Sequence, residues 1–423
     1  MRNKLLLMML CSSILLGGCG KAAVPGSDPN AAGDAPANMV SAQAVVPQVT
    51  VPDEVVIPKD SYDKAAYFAD YLASHNSGNI LASPISLEIA LGLTAQGADG
   101  ETLKELQRYL GKENYADWAK AYMEFATDLE SKKKNGYSFS YDLANSIWLQ
   151  KGVTLNADFK KTAQDQFDAG VSELDLQGNS GKSAGKINEW IEKKTNNMIK
   201  NVVSPADLTL TKALLVNALY FESPWLEEWG LTQHDFTTAS GEKSEREMLI
   251  DSNLTEYFEN DFCTAFAKDY YNGFKFVGIL PKADGEFRIS DLNLKSLMES
   301  KTTEFEVHAI APKLDYETCA NDLVAMLVQE GVQKPFLQQA DFTKMSSSND
   351  LYISKIIQKC KITMDENGTQ AAAATVVAME DECALLATVE EKEVKEVNLD
   401  RPFAFLIYDS QNDEIVFVGK VTE

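Results

Sequence analysis

The chain has 423 residues, 45% hydrophobic and 24% charged, an ordinary globular composition with enough length for a large core. Acidic side chains outnumber basic ones 63 to 39, giving a formal net charge of −24 that repels phosphate backbones and argues against nucleic acid as a partner. The only dense basic run, Lys132 to Lys134 beside Asn135-Gly136, reads as a solvated loop.

The N-terminus comes first in chain order. MRNK is a positive start, and Leu5 to Leu16 is apolar but too short to span a bilayer as a stable helix. Leu16-Gly17-Gly18-Cys19 closes the segment and resembles the lipobox of bacterial lipoproteins. That resemblance implies a leader over residues 1–19, acyl chains on Cys19, and an exported lipoprotein at the outer membrane or cell surface. The plainer alternative is an ordinary signal peptide that contains a Cys. Residues 20–58 are rich in Ala, Pro, Gly, Ser and Val, lack an apolar period, and cannot bury a core. Six prolines (Pro25, Pro29, Pro36, Pro47, Pro52 and Pro58) make this an extended tether.

Residues 59–423 contain no linker, repeat or low-complexity break and read as one domain. In YDKAAYFADYLASHN, Ala65, Phe68, Ala69 and Leu72 share one helical face. Ser83-Pro84 is a helix start, and the following ISLEIALGL is apolar nearly all round, as in a helix buried on every side. GETLKELQRYLG is an amphipathic helix closed by Gly111. KINEWIEKKTNNMIKNV continues the helical period through Ile187, Trp190, Ile191 and Met198. Strands follow. YDLANSIWLQ mixes alternation with β-forming residues, and Ala213 to Phe221 is a continuous apolar run suited to a central strand. FKFVGILP and LYISKIIQKCKITMDE continue the pattern, and PFAFLIYD and EIVFVGKV form a hairpin across SQND. The order of elements predicts an α+β domain on large, mostly antiparallel sheets.

Chemistry is sparse. His75, His234 and His308 stand in unrelated contexts, and there is no HExxH, GxSxG, Walker A or GxGxxG motif. Cys263, Cys319, Cys360 and Cys383 have no metal-like spacing; the first three sit in apolar patterns, where a buried unpaired Cys is expected. Neither an enzyme nor a cofactor or metal is indicated.

Several segments together resemble the serpin family. Asn79 to Leu110 carries Ser-Pro-x-Ser and Gly-Ala-x-Gly-x-Thr, and LLVNALYFESPW is similar to the conserved strand-plus-tryptophan block. KINEWIEKKTNNMIKNVV is similar to the helix across the front of the main sheet, and DENGTQAAAAT to the hinge of the reactive-centre loop. RPFAFLIYD with VFVGKV matches the C-terminal hairpin, so the likeness runs in order from about Ser61 to the end. The resemblance implies three β-sheets, about nine helices and an exposed loop that baits a serine or cysteine protease. The protease cleaves the loop and is acylated by it, and the upstream part of the loop inserts into the main sheet, leaving a covalent complex with a monomeric inhibitor. The alternative within the fold is a non-inhibitory binding or scaffold protein.

By this resemblance Glu366, Gly368, Thr369, Ala371, Ala372, Ala373 and Ala374 form the hinge. Small side chains there can enter a packed sheet without overpacking or burying a charge. Lys313 pairs with Glu366 where insertion begins, Trp225 lies beside them, and Ser83, Ser86 and Asn217 form a polar cluster beneath the sheet centre. Gln358 stands where the family often has His, so a pH-sensitive contact is missing. The family's spacing from Glu366 places the scissile bond at Glu382-Cys383. Counting back from Pro402 gives a site near Glu391 instead, because residues 384–392 lengthen the loop. Asp381, Met379, Leu385 and Leu386 are alternative bait residues: the acidic stretch would suit a protease that prefers Glu or Asp, and Leu385 or Leu386 would attract chymotrypsin-like, elastase-like or papain-like proteases.

Overall fold

The computed structural model describes residues 60–112, 114–131, 139–348, 350–369 and 392–423, all within the compact unit that runs from Pro47 to Glu423. The leader, the tether, Cys19, and residues 370–391 lie outside the described residues. In chain order the first elements are α1 (Ser61–His75), β1 (Ile80–Ala82), α2 (Pro84–Gln96), α3 (Gly100–Leu110), α4 (Tyr115–Ser131) and β2 (Ser140–Gln150). Next come α5 (Ala157–Phe167), β3 (Gly170–Leu174), α6 (Ser180–Lys194), β4 (Ala213–Pro224), β5 (Gly230–Thr237) and β6 (Lys243–Leu254). β7 (Glu256–Glu259), β8 (Cys263–Asp269), β9 (Phe274–Pro281), α7 (Leu294–Glu299), β10 (Glu306–Pro312) and β11 (Leu314–Ala320) follow. The last are α8 (Val324–Gln329), β12 (Lys355–Met364), β13 (Gly368–Thr369), β14 (Val394–Asn398), β15 (Phe403–Asp409) and β16 (Glu414–Val421).

The strands form three sheets. The main sheet has the order β11-β12-β13-β4-β2-β3, a second six-stranded sheet is β1-β16-β15-β9-β8-β7, and a four-stranded sheet is β14-β10-β6-β5. With eight α-helices among the described residues, the architecture is α+β. No helix among the described residues is long and apolar enough to cross a membrane.

Helix α2 is buried along almost its whole length because it packs against β2 and β4 of the main sheet and β16 of the second. Its start is the one predicted: Pro84 occupies the first turn and Ser83 Oγ accepts from the Ser86 amide. Gly111 ends α3 in the left-handed conformation at φ 67°. Strand β4 reads as an unbroken apolar run because both its faces are covered. Leu215, Leu219 and Phe221 join the large core with α2, while Leu214, Val216 and Ala218 pack with Ile187 and Ile191 of α6.

One element departs from the sequence reading. The helical period in the sequence runs to Val202, but α6 stops at Lys194. Asn196, Asn197 and Asn201 take positive φ values of 49°, 64° and 54°, the left-handed region that asparagine tolerates and a helix does not. The chain then returns as a 3₁₀ turn, Pro205–Leu208, before β4. Asn188 of α6 holds this return: its Oδ1 accepts from the Val202 and Val203 amides at 3.0 and 2.9 Å, and its Nδ2 donates to the Val203 carbonyl at 2.9 Å. Among the cysteines, Cys263 and Cys360 are buried and Cys319 is only half-buried, each unpaired.

Candidate functional site

Strands β12 and β4 lie side by side and parallel from Lys355 opposite Leu214 to Lys361 opposite Tyr220. Above that stretch they part, and β13 fills the gap. Thr369 pairs with Met364 of β12 and with Ser223 of β4, antiparallel to both. Gly368 and Thr369 are therefore already a short strand of the main sheet.

The turn that delivers them is held at several points. Asp365 Oδ1 accepts from the Asn367 and Gly368 amides, closing the turn. Trp225 donates its indole Nε1 to the Asp365 carbonyl at 2.9 Å and its amide to the Asn367 carbonyl at 3.0 Å. The Trp229 amide donates to the Glu366 carbonyl at 3.0 Å. A Cβ on Gly368 would stand 2.4 Å from the Ser223 carbonyl oxygen, so the residue must be glycine because two backbones meet there. Close approach of backbone, beyond small size alone, is what requires glycine at this hinge position.

Thr369 is 1% exposed. Its hydroxyl shares a 2.6 Å hydrogen bond with the Tyr270 hydroxyl, and the Tyr270 ring stacks on Trp225 at 4.1 Å between centroids. Burial pushes the Tyr270 phenol far up, so it stays neutral at ordinary pH. Beside this layer, Lys313 at the foot of β10 pairs with Glu366 and Glu247, each at 2.8 Å. The bonds to Glu247 and Glu366 raise the Lys313 ammonium, and the Lys313 bond holds the Glu366 carboxyl below its usual range.

A second cluster lies lower, under the parallel stretch. Gln358 and Asn217 sit opposite one another on β12 and β4, and Ser83 and Ser86 reach them from the start of α2. Gln358 Nε2 donates to Asn217 Oδ1 at 2.7 Å and to the Ser83 carbonyl at 2.9 Å, and its Oε1 accepts from the Ser83 amide at 3.0 Å. Asn217 Nδ2 donates to the Ser86 carbonyl at 3.0 Å and to Asn145 Oδ1 from β2, while the Ser86 hydroxyl donates to Asn217 Oδ1. All five side chains are buried. These bonds fasten β2, β4, β12 and α2 to each other at one level of the sheet.

Tyr270, Glu247, Trp229 and Asn145 belong to these clusters but were not singled out from the sequence. Only Asn145 carried a signal, as a polar residue inside the apolar strand pattern of YDLANSIWLQ. Ala371 to Ala374, Met379, Asp381, Glu382, Cys383, Leu385 and Leu386 lie outside the described residues. The three histidines stay apart: His75 contacts the Tyr71 carbonyl, His234 faces Asp400 and His308 faces Glu306. Among the described residues no group of three His, Cys, Asp or Glu side chains is placed to hold a metal ion. What this arrangement shows is a two-residue antiparallel strand already seated between β12 and β4.

Comparison with known proteins gives the family. The family model described as Serpin (serine protease inhibitor) matches residues 65–423. A serpin-like protein of Thermococcus kodakarensis is 31% identical over 356 residues, covering 82% of this chain and 81% of the relative. Neuroserpin of Mus musculus is 27% identical, covering 90% of this chain and 94% of its own. Among solved structures, Serpin48 of the insect Tenebrio molitor matches with a TM-score of 0.74 at 25% identity, covering 86% of this chain and 97% of its own. The thermophilic serpin tengpin in its native state gives 0.70 at 28% identity, covering 88% and 96%.

Proposed function

The chain belongs to the serpin family of serine protease inhibitors, and from that premise we propose that it is an irreversible inhibitor acting by insertion of its cleaved loop. The nucleophile of a serine or cysteine endopeptidase attacks the carbonyl of the bait bond, the downstream segment leaves with a new amino terminus, and the protease stays acylated by the upstream part of the loop. The freed strand enters the main sheet and carries the acyl-enzyme away from the geometry that water needs to release it.

The observation that carries this reading is the seam between β12 and β4. Two parallel strands there already admit an antiparallel strand at one end. Each residue inserted replaces one parallel pairing by two antiparallel ones, which adds ladder hydrogen bonds in the more stable pattern. Continuing the register of Thr369 would bring Thr375 between Gln358 and Asn217, where the polar cluster must exchange partners. The residues that would enter on the way, Gln370 to Ala374, are small or uncharged.

The test is a panel of serine and cysteine proteases of differing primary specificity, read on denaturing gels and by mass measurement of the released C-terminal peptide. The expected result is a denaturant-resistant complex with at least one protease, its cleavage mapped at Glu382-Cys383. Cleavage by every protease without such a complex would leave the scaffold reading instead. The N-terminal lipobox supports a further part of the proposal, that Cys19 is acylated and tethers the inhibitor to the bacterial envelope. Metabolic labelling with an alkynyl fatty acid should mark the wild type and not Cys19→Ser; equal labelling of both would exclude it.

A further inference from the structure

The front face of the β12–β4 seam carries a feature that the hinge and the polar cluster do not use. On β12, Lys355 and Lys359 point to the same face as Ile357, the face covered by α6. Lys355 Nζ pairs with Asp207 Oδ1 at 2.5 Å, and Lys359 Nζ donates to the Lys200 carbonyl at 2.9 Å. Lys359, only 7% exposed, also pairs with Glu317 of the neighbouring strand β11 at 2.8 Å. Burial pushes the Asp207 carboxyl up, but the Lys355 ammonium with the Ser204 hydroxyl and amide more than reverses this, so it sits below its usual range. The pair is thus charged and hydrogen-bonded in a partly desolvated place, where such a bond is stronger than at an open surface.

Lys200 and Asp207 both belong to the return segment that leads directly into β4 at Ala213. The two ties therefore bridge the seam: β12 holds one end, and the lead-in of β4 holds the other. Asn188 fixes the same segment to α6 through three hydrogen bonds. If β12 and β4 are to separate, either both ties break or the return segment follows β12 and tears free of α6.

We propose that the Lys355–Asp207 pair and the Lys359–Lys200 carbonyl bond form a clasp that sets how fast the main sheet opens to a new strand. Lys355, Asp207 and Lys359 are then positioning residues for insertion. The proposal rests on the insertion reading and deepens it. The sheet stays shut below Thr369 because the clasp, with the buried polar cluster behind it, spans the only strands that must part.

The test uses the full chain and a synthetic peptide with the sequence of residues 369–382, TQAAAATVVAMEDE, as the strand to be taken up. Uptake is followed by tryptophan fluorescence, since Trp190 of α6 meets Trp148 of β2, and by the gain in melting temperature. Lys355→Ala and Asp207→Asn should each speed uptake about tenfold, the equivalent of one pairwise bond missing from the barrier. The double variant should be no faster than either single one, and Lys355→Arg should keep the slow rate. The melting temperature reached after uptake should rise by the same increment in all variants, which general destabilisation would not give. Wild-type uptake with unchanged rates in the variants, or additive effects of the two substitutions, would overturn the clasp while leaving insertion intact. No uptake by any form, wild type included, would overturn both.

Discussion

At the scale of single residues, Thr369 shows how little room the hinge has. It is 1% exposed, paired with β12 on one side and β4 on the other, and its side-chain hydroxyl has a partner in Tyr270. Thr369→Arg would put an unpaired cation into this space at a cost of several kcal/mol, about the figure for a buried charge that cannot relax to water. The expected outcome is expulsion of the two-residue strand and a change from inhibitor to substrate, read as cleaved chain in place of covalent complex. Undiminished trapping of protease by this variant would contradict the insertion reading. Gly368 is constrained differently, by the Ser223 carbonyl that leaves no volume for a Cβ. The hinge thus combines a residue that must have no side chain with one that must have a small one.

At the scale of elements, the controlling feature is the stretch where β12 and β4 run parallel. Apolar contacts alone would let the strands slide or part smoothly. The buried amides of Gln358 and Asn217 make separation discrete, because an unmatched buried donor or acceptor costs about 1–3 kcal/mol. Asn217→Ala orphans partners on α2, β2 and β12 at once, and unfolding by urea should show a loss of about 1–3 kcal/mol. Asn145→Ala should cost less, since its own Nδ2 already lacks a hydrogen-bond partner. A larger loss at Asn145 than at Asn217 would mean that the network is centred elsewhere. The return segment after α6 belongs to the same scale. Three asparagines in left-handed conformations turn it back across the sheet, and Asn188 and Lys355 pin it there.

At the scale of the whole molecule, the helices meet around a buried acid that plays no part in the seam. Glu330, 2% exposed at the end of α8, faces Tyr109 of α3 and the Lys64–Glu88 ion pair that joins α1 to α2 at 2.8 Å. Burial pushes its carboxyl up to about 8, with Tyr109 and Lys64 pulling it down and Glu88 pushing it up. Between the ordinary carboxylate range and about pH 8 the folded state therefore holds a proton that the unfolded state has released. By linkage, stability from this group declines as pH rises through that window and levels off above it. Urea midpoints measured from pH 5.5 to 8.5 should fall more steeply for the wild type than for Glu330→Gln. Parallel profiles for the two proteins would show that Glu330 is ionised at neutral pH.

How much of this was legible beforehand differs between fold and site. The α2 start, the Gly111 helix end, the central strand β4 and the C-terminal hairpin follow from caps, periodicity and continuous apolar runs. These are properties of neighbouring residues, so the sequence displays them. The order of the serpin-like blocks identified the family for the same reason. The end of α6 was misread because Asn196 and Asn197 leave the apolar period undisturbed while the backbone turns left-handed beneath it.

The sequence by itself thus determined the α+β class and the family, because both are written in local composition and spacing. Only the tertiary structure decided which distant groups meet. Tyr270 comes to Thr369 across 99 positions, Asn145 to Asn217 across 72, and Lys355 to Asp207 across 148. A hydrogen bond between residues so far apart depends on sheet register and helix placement, which no stretch of the chain carries alone. For that reason the sequence pointed to the family, and the fold alone located the seam between β12 and β4 and the bonds that join its two sides.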